Sequence, residues 1–247
     1  MEAVAELERV QIRILKRITE LELSHLPQHF SAALSVSSNN GDCSENTTVS
    51  RLSSILSSNG VPDFLFKRVP LDYYDRSLEA RREILDAPSI DHLCKSIVLV
   101  NTQAHASVTD CSDRNNSKYY IVVVQYTARF NAETVKNFLY SLNNGNIPKK
   151  KFNLRLAPEE LSSKLTGYEH NGVTCIGMKT DIPVLPYRRI RIVSYPYPVS
   201  VILDEAITKL NPDFFWLGGG EIDLKLGIRT SQFINFVKPF IVSCSTT

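Results

Sequence analysis

The feature that most constrains what this chain can fold into is the placement of glycines among apolar runs in its C-terminal third. Thr166-Gly167-Tyr168-Glu169 leads into Gly172-Val173-Thr174-Cys175-Ile176-Gly177, and Trp216-Leu217-Gly218-Gly219-Gly220 follows further on. A glycine at a strand end or turn has no Cβ, so a second backbone or a ligand can approach the main chain closely there. The pattern predicts strands whose ends form the wall of a pocket.

The segments around this region set the fold class. Ser96–Val100 and Tyr119–Tyr126 are rich in β-branched and aromatic residues and read as strands, with the polar stretch Gln103–Lys118 as a surface loop between them. Ala132–Leu142 reads as a helix capped by Asn131 and stopped by Asn143-Asn144-Gly145, and Pro158–Leu165 as a second with Pro158 in its first turn. Further strands are expected at Val173–Met178, Phe214–Leu217 and Ile222–Gly227, and Ser231–Val237 closes the region as a helix. Strands and helices that mix without a strict βαβ repeat predict an α/β domain with a mixed sheet.

The N-terminal part has a different texture. In residues 2–22, Val4, Leu7, Val10, Ile14, Ile18 and Leu21 recur at helical spacing, acids leading and bases following. Such a helix either docks on its own domain or binds a partner. Ser31–Ser50 is rich in Ser and Asn and reads as a linker. Short helices are expected at Val49–Ser57, stopped by Asn59-Gly60, and at Arg76–Leu85. The organisation expected is thus an amphipathic helix in 1–30, a linker in 31–50, a helical lead-in in 51–90 and the domain proper in 91–240. A chain of 247 residues suits one domain with appendages.

Composition excludes several functions. No run reaches the ~18 apolar residues of a membrane helix, and Glu2, Glu6 and Glu8 stand where a signal peptide would be apolar, so a cytoplasmic protein is expected. The sequons at Asn46 and Asn115 are then accidental. Cys43, Cys94, Cys111, Cys175 and Cys244 are odd in number and lack zinc-ligand spacing, which predicts a reducing compartment and no structural metal. A formal net charge of +2 does not by itself signal nucleic acid, so any such partner must be met by a local patch.

Lys95 starts the run Ser96–Val100. Read in order with Thr166-Gly167, the glycine loop 172–177 and the glycines at 218–220, it resembles the YbaK/aminoacyl-tRNA synthetase-associated domain family over residues 90–240. That family comprises aminoacyl-tRNA deacylases, free-standing or inserted as an editing domain in some prolyl-tRNA synthetases. The resemblance implies a mixed-sheet YbaK-like single domain, to which the N-terminal helix read from residues 2–22 would be an extension. It also implies hydrolysis in trans of the ester of mischarged aminoacyl-tRNA, in the service of translation fidelity. No cofactor and no membrane are implied. The partners would be the acceptor end of the tRNA and an aminoacyl-tRNA synthetase. Lys95 would hold phosphate and ribose, and Gly172, Val173 and Thr174 would polarise the ester. Thr166, Gly167, Cys175, Gly177, Gly218, Gly219 and Gly220 would shape the substrate site.

The residues suit that chemistry. An aminoacyl ester is already activated, so its hydrolysis needs placement of the carbonyl and a water, and backbone N–H groups to stabilise the oxyanion. No G-x-S-x-G elbow is present, and His25, His29, His92, His105 and His170 form no metal motif. His170, beside the glycine loop, is either a general base or a solvated polar residue. The loop departs from the family's Gly-x-x-x-Pro, whose end positions fall on Asn171 and Cys175. Cys175 is then a small buried filler or a nucleophile. Lys149-Lys150-Lys151 with Arg155 offers a phosphate-binding patch or a solvated edge. Leu185–Val201, with Arg188, Arg189 and Arg191, interrupts the family's continuous run and reads as an inserted excursion or a basic hairpin. An adaptor that keeps the fold and binds tRNA or a synthetase without turnover is the alternative to an active deacylase.

Overall fold

The computed structural model describes residues 47–109, 111, 113–179 and 200–246. The expected helix at 2–22, most of the linker, Cys43 and residues 185–199 of the insertion lie outside the described residues.

The chain runs α1 (Thr48–Ser58), β1 (Phe64–Arg68), α2 (Leu78–Leu85), β2 (Cys94–Asn101), β3 (Tyr119–Gln125), β4 (Arg129–Phe130) and α3 (Ala132–Leu142). It continues through β5 (Leu154–Leu156), α4 (Glu159–Thr166), β6 (Ser200–Asp204), β7 (Phe215–Gly218), β8 (Leu224–Ile228), α5 (Thr230–Val237), β9 (Phe240–Val242) and β10 (Ser245–Thr246). The main sheet has the order β5-β2-β3-β6-β9, antiparallel through β3 and parallel beyond it. A second, antiparallel sheet has the order β1-β8-β7, and β10 pairs with β4. This is the mixed α/β fold, YbaK-like, that the strand and helix pattern predicts.

Alternation along β3 sets the layers, because successive side chains leave a strand on opposite faces. Ile121 and Val123 join the core shared with β7, β8, α1 and α5, while Tyr120, Val122 and Val124 join the core under α3. β6 does the same, with Val201 and Leu203 on the first face and Ile202 on the second. Both faces of these strands are buried, so their sequences are continuously apolar.

Local signals fix the helix ends. The hydroxyl of Thr47 accepts from the amide of Ser50, that of Ser77 from Ala80, and the Asn131 side chain from Glu133. α3 ends at Asn143, followed by Asn144 and Gly145, both in the left-handed region.

Three expectations are corrected. Val173–Met178 forms no strand. Its apolar pattern reflects burial of Cys175 and Ile176, while its carbonyls are taken by side chains instead of a ladder: the Tyr168 hydroxyl donates to the carbonyls of Ile176 and Gly177, and Arg51 to that of Gly177. α1 begins at Thr48, inside the segment read as linker. Ser200 and Val201, read as the end of the insertion, open β6 and pair with Tyr120 and Ile121.

Candidate active site

β2 and β7 bring two distant parts of the chain side by side, joined at their start by a bridge between Leu93 and Trp216. Between them, α4 and the loop after it lies a cavity of about 370 Å³. Lys95 and Ser96 line it from β2, Glu159 from the start of α4, and His170, Asn171 and Val173 from the loop. Gly218 and Lys225 line it from the second sheet, and Tyr73, Tyr74 and Tyr126 complete the wall.

The loop meets the second sheet backbone to backbone. A Cβ on Gly218 would lie 2.3 Å from the carbonyl oxygen of Val173, and one on Gly172 would lie 3.1 Å from the backbone of Glu221. Only glycine fits at Gly218. The amide of Gly220 donates to the carbonyl of Gly172 at 3.0 Å and locks the crossing. The loop turns at Asn171, whose φ of 66° is left-handed, a conformation that asparagine tolerates better than most residues. Asn171 thus makes the turn for which the resemblance led one to expect glycine.

Of the residues expected at the site, Lys95, Val173 and Gly218 line the cavity. Gly172 stands directly behind Gly218. Thr166, Gly167, Thr174, Cys175, Gly177, Gly219 and Gly220 are not in its lining. Thr166 is a structural residue whose hydroxyl donates to the carbonyl of Ser162 and accepts from the amide of Tyr168. Burial pushes the Cys175 thiol up to about 12, so it fills the proline's place as an inert small side chain and the nucleophile reading falls. The amides of Val173 and Thr174 donate to no other group among the described residues. Val173 lines the cavity.

The site also holds residues that sequence reading passed over. Lys225 in β8 is 4 % exposed, and its ammonium donates to the Tyr74 hydroxyl and, at 3.0 Å, to the carbonyl of Ile222. It lies 4.4 Å from the Tyr74 ring centroid and 5.1 Å from that of Tyr73. Burial lowers its pKa to about 8; Asp223 opposes the shift and the Arg81 guanidinium adds to it. Arg81 stacks within 5.5 Å of the Tyr73, Tyr74 and Tyr126 rings, and Lys95 lies 5.4 Å from the Tyr126 centroid. Burial raises the Tyr73 and Tyr74 phenols well above their usual range, so both remain neutral donors. Tyr74 donates to the carbonyl of Asn171 and so ties Lys225 to the loop. The Ser96 hydroxyl is buried without a hydrogen-bond partner. No sequence signal marked Lys225: a lysine between Leu224 and Leu226 reads as the outward position of a strand, and only the structure shows β8 buried at every position.

No family model matches the chain, and no curated protein does. Solved structures do share its fold. A proposed trans-editing enzyme for prolyl-tRNA synthetase superposes with a TM-score of 0.56 at 15% identity, covering 82% of this chain and 99% of its own. A protein from a study of epitope grafting onto scaffolds gives 0.55 at 12% identity over 82% of this chain and 99% of its own. A hypothetical protein gives 0.53 at 15% identity over 81% and 100%. At these identities the likeness is one of architecture: an α/β fold built on a mixed sheet.

Proposed function

We propose that this chain is a deacylase that hydrolyses the ester of mischarged aminoacyl-tRNA in trans, working in the cytoplasm without a cofactor. The observation that carries this reading is the meeting, in one cavity, of Lys95 with the loop residue Val173 across Gly218. Lys95 holds the phosphate and ribose of the acceptor end as a point charge. The free amide of Val173, with that of Thr174 behind it, stabilises the oxyanion as the ester carbonyl becomes tetrahedral. Gly172 and Gly218 let the loop sit deep enough to present these donors. Thr166, Gly167, Cys175, Gly177, Gly219 and Gly220 shape the loop from behind and touch no substrate. Arg155 and Lys150, exposed near the β5 edge, meet the tRNA backbone, whereas Lys149 is engaged by Glu133 at 3.1 Å.

The test is release of amino acid from a panel of mischarged tRNAs by the purified protein. Lys95→Ala should lose at least about 100-fold in turnover while keeping its thermal transition, since a positioned charge in a partly desolvated site contributes several kcal/mol. Near wild-type turnover by the folded variant would remove Lys95 from the site. Binding of tRNA without release of any amino acid would support a tRNA- or synthetase-binding adaptor.

A further inference from the structure

Lys225 is a buried cation with no ion-pair partner among the described residues. Its ammonium has three N–H groups, and the two acceptors around it are neutral. No carboxylate lies within ion-pair distance among the described residues, and Asp223, two positions away, is engaged by Arg68 at 2.7 Å. A buried charge without a counter-ion destabilises the folded state unless a ligand supplies the missing partner. The charged side chains around the cavity are mostly cationic. Lys95 is the other lining cation, Arg81 stands behind the tyrosines, and the single lining carboxylate among the described residues, Glu159, is exposed.

The two lysines lie at different depths. Lys95 is half-buried, whereas Lys225 is nearly sealed between Tyr73 and Tyr74. A tRNA phosphate belongs to a bulky, hydrated backbone and stops at the outer lysine. What reaches the inner one is the acyl group. We propose that Lys225 selects the amino acid, and that the acyl group this cavity accepts carries a carboxylate in its side chain, as in aspartyl or glutamyl esters. This rests on the deacylase reading for its substrate. The carboxylate would take the third N–H of Lys225. Acyl groups with cationic side chains would be repelled.

The experiment compares binding of two non-hydrolysable analogues, aspartyl and alanyl amides of 3′-amino-adenosine, to the full chain by calorimetry. In parallel, hydrolysis of the corresponding aminoacyl-tRNAs is measured. The aspartyl analogue should bind about 10- to 100-fold tighter, the worth of a charge-assisted hydrogen bond in a desolvated site. That ratio should collapse towards unity in Lys225→Met and fall below it in Lys225→Glu. Lys225→Gln serves as a second variant should the charge reversal fail to fold. Equal or tighter alanyl binding, a preference that survives Lys225→Met, or binding of neither analogue would overturn the assignment. Hydrolysis judges the deacylase reading separately: alanyl release with no aspartyl preference sinks the selectivity alone, and aspartyl-selective binding without release of any amino acid sinks the deacylase alone.

Discussion

Lys225 is the residue at which local physics and function conflict most. The unfolded chain holds this proton up to about 10.5, and the folded protein only to about 8. Below pH 8 the unfolded state is therefore favoured by its easier protonation, and the handicap fades as pH rises from 8 to 10.5. Tyr73, Tyr74, Arg81 and Asp223 surround the amine, and none of them supplies a free negative charge near neutral pH. The stability of Lys225→Met relative to wild type should accordingly be about 2–3 kcal/mol more favourable at pH 7 than at pH 10.5. Denaturant titrations of both proteins at the two pH values measure this, and a pH-independent difference would show that the amine is not desolvated. Residues such as this are where sequence reading stops short. Lys95 and Val173, which line the cavity, stand in the order that a family resemblance suggested. Lys225 was not legible, because a lysine flanked by leucines in a strand ordinarily points to water, and only the packing of Tyr73 and Tyr74 shows that it does not.

At the scale of elements, the loop from Asn171 to Gly177 is held by its neighbours more than by its own hydrogen bonds. α1 covers it: Arg51 donates to the carbonyl of Gly177 at 2.6 Å and to the Tyr168 hydroxyl at 3.1 Å, and Leu52 is fully buried against the same turn. Leu52→Ala should cost about 2–5 kcal/mol, the range for deleting a buried leucine. It should also speed proteolysis or amide exchange within 171–177 ahead of the sheet, measurable by hydrogen exchange. α1 and α3 were legible from their caps, and β3 from its β-branched run. The loop was misread as a strand because a buried apolar run looks the same whether its carbonyls meet another strand or, as here, tyrosine and arginine side chains.

At the scale of the molecule, residues 45–247 form one compact unit. Removing residues 1–44 should therefore leave the thermal transition of the remainder in place, whereas removing 1–63 deletes α1 and should lower it by at least about 5 °C, since a loss of 1 kcal/mol shifts a domain of this size by about 2–4 °C. Differential scanning of the two truncations makes the comparison, and an equal loss in both would place the first segment within the folded unit. The mixed sheet was legible as a class from the alternation of strands and helices, but not the partnership of β1 with β8, which no local pattern announces.

That partnership, Phe64 opposite Ile228 and Arg68 opposite Leu224, has a consequence in time. A chain made from its N-terminus presents Lys95 well before Gly218, Lys225 and the strand that β1 must meet. β1 waits unpaired until β8 has been made, and the cavity closes only then. A stop codon between β3 and β7 leaves Lys95 with no opposite wall. Such a truncation silences the site outright instead of weakening it.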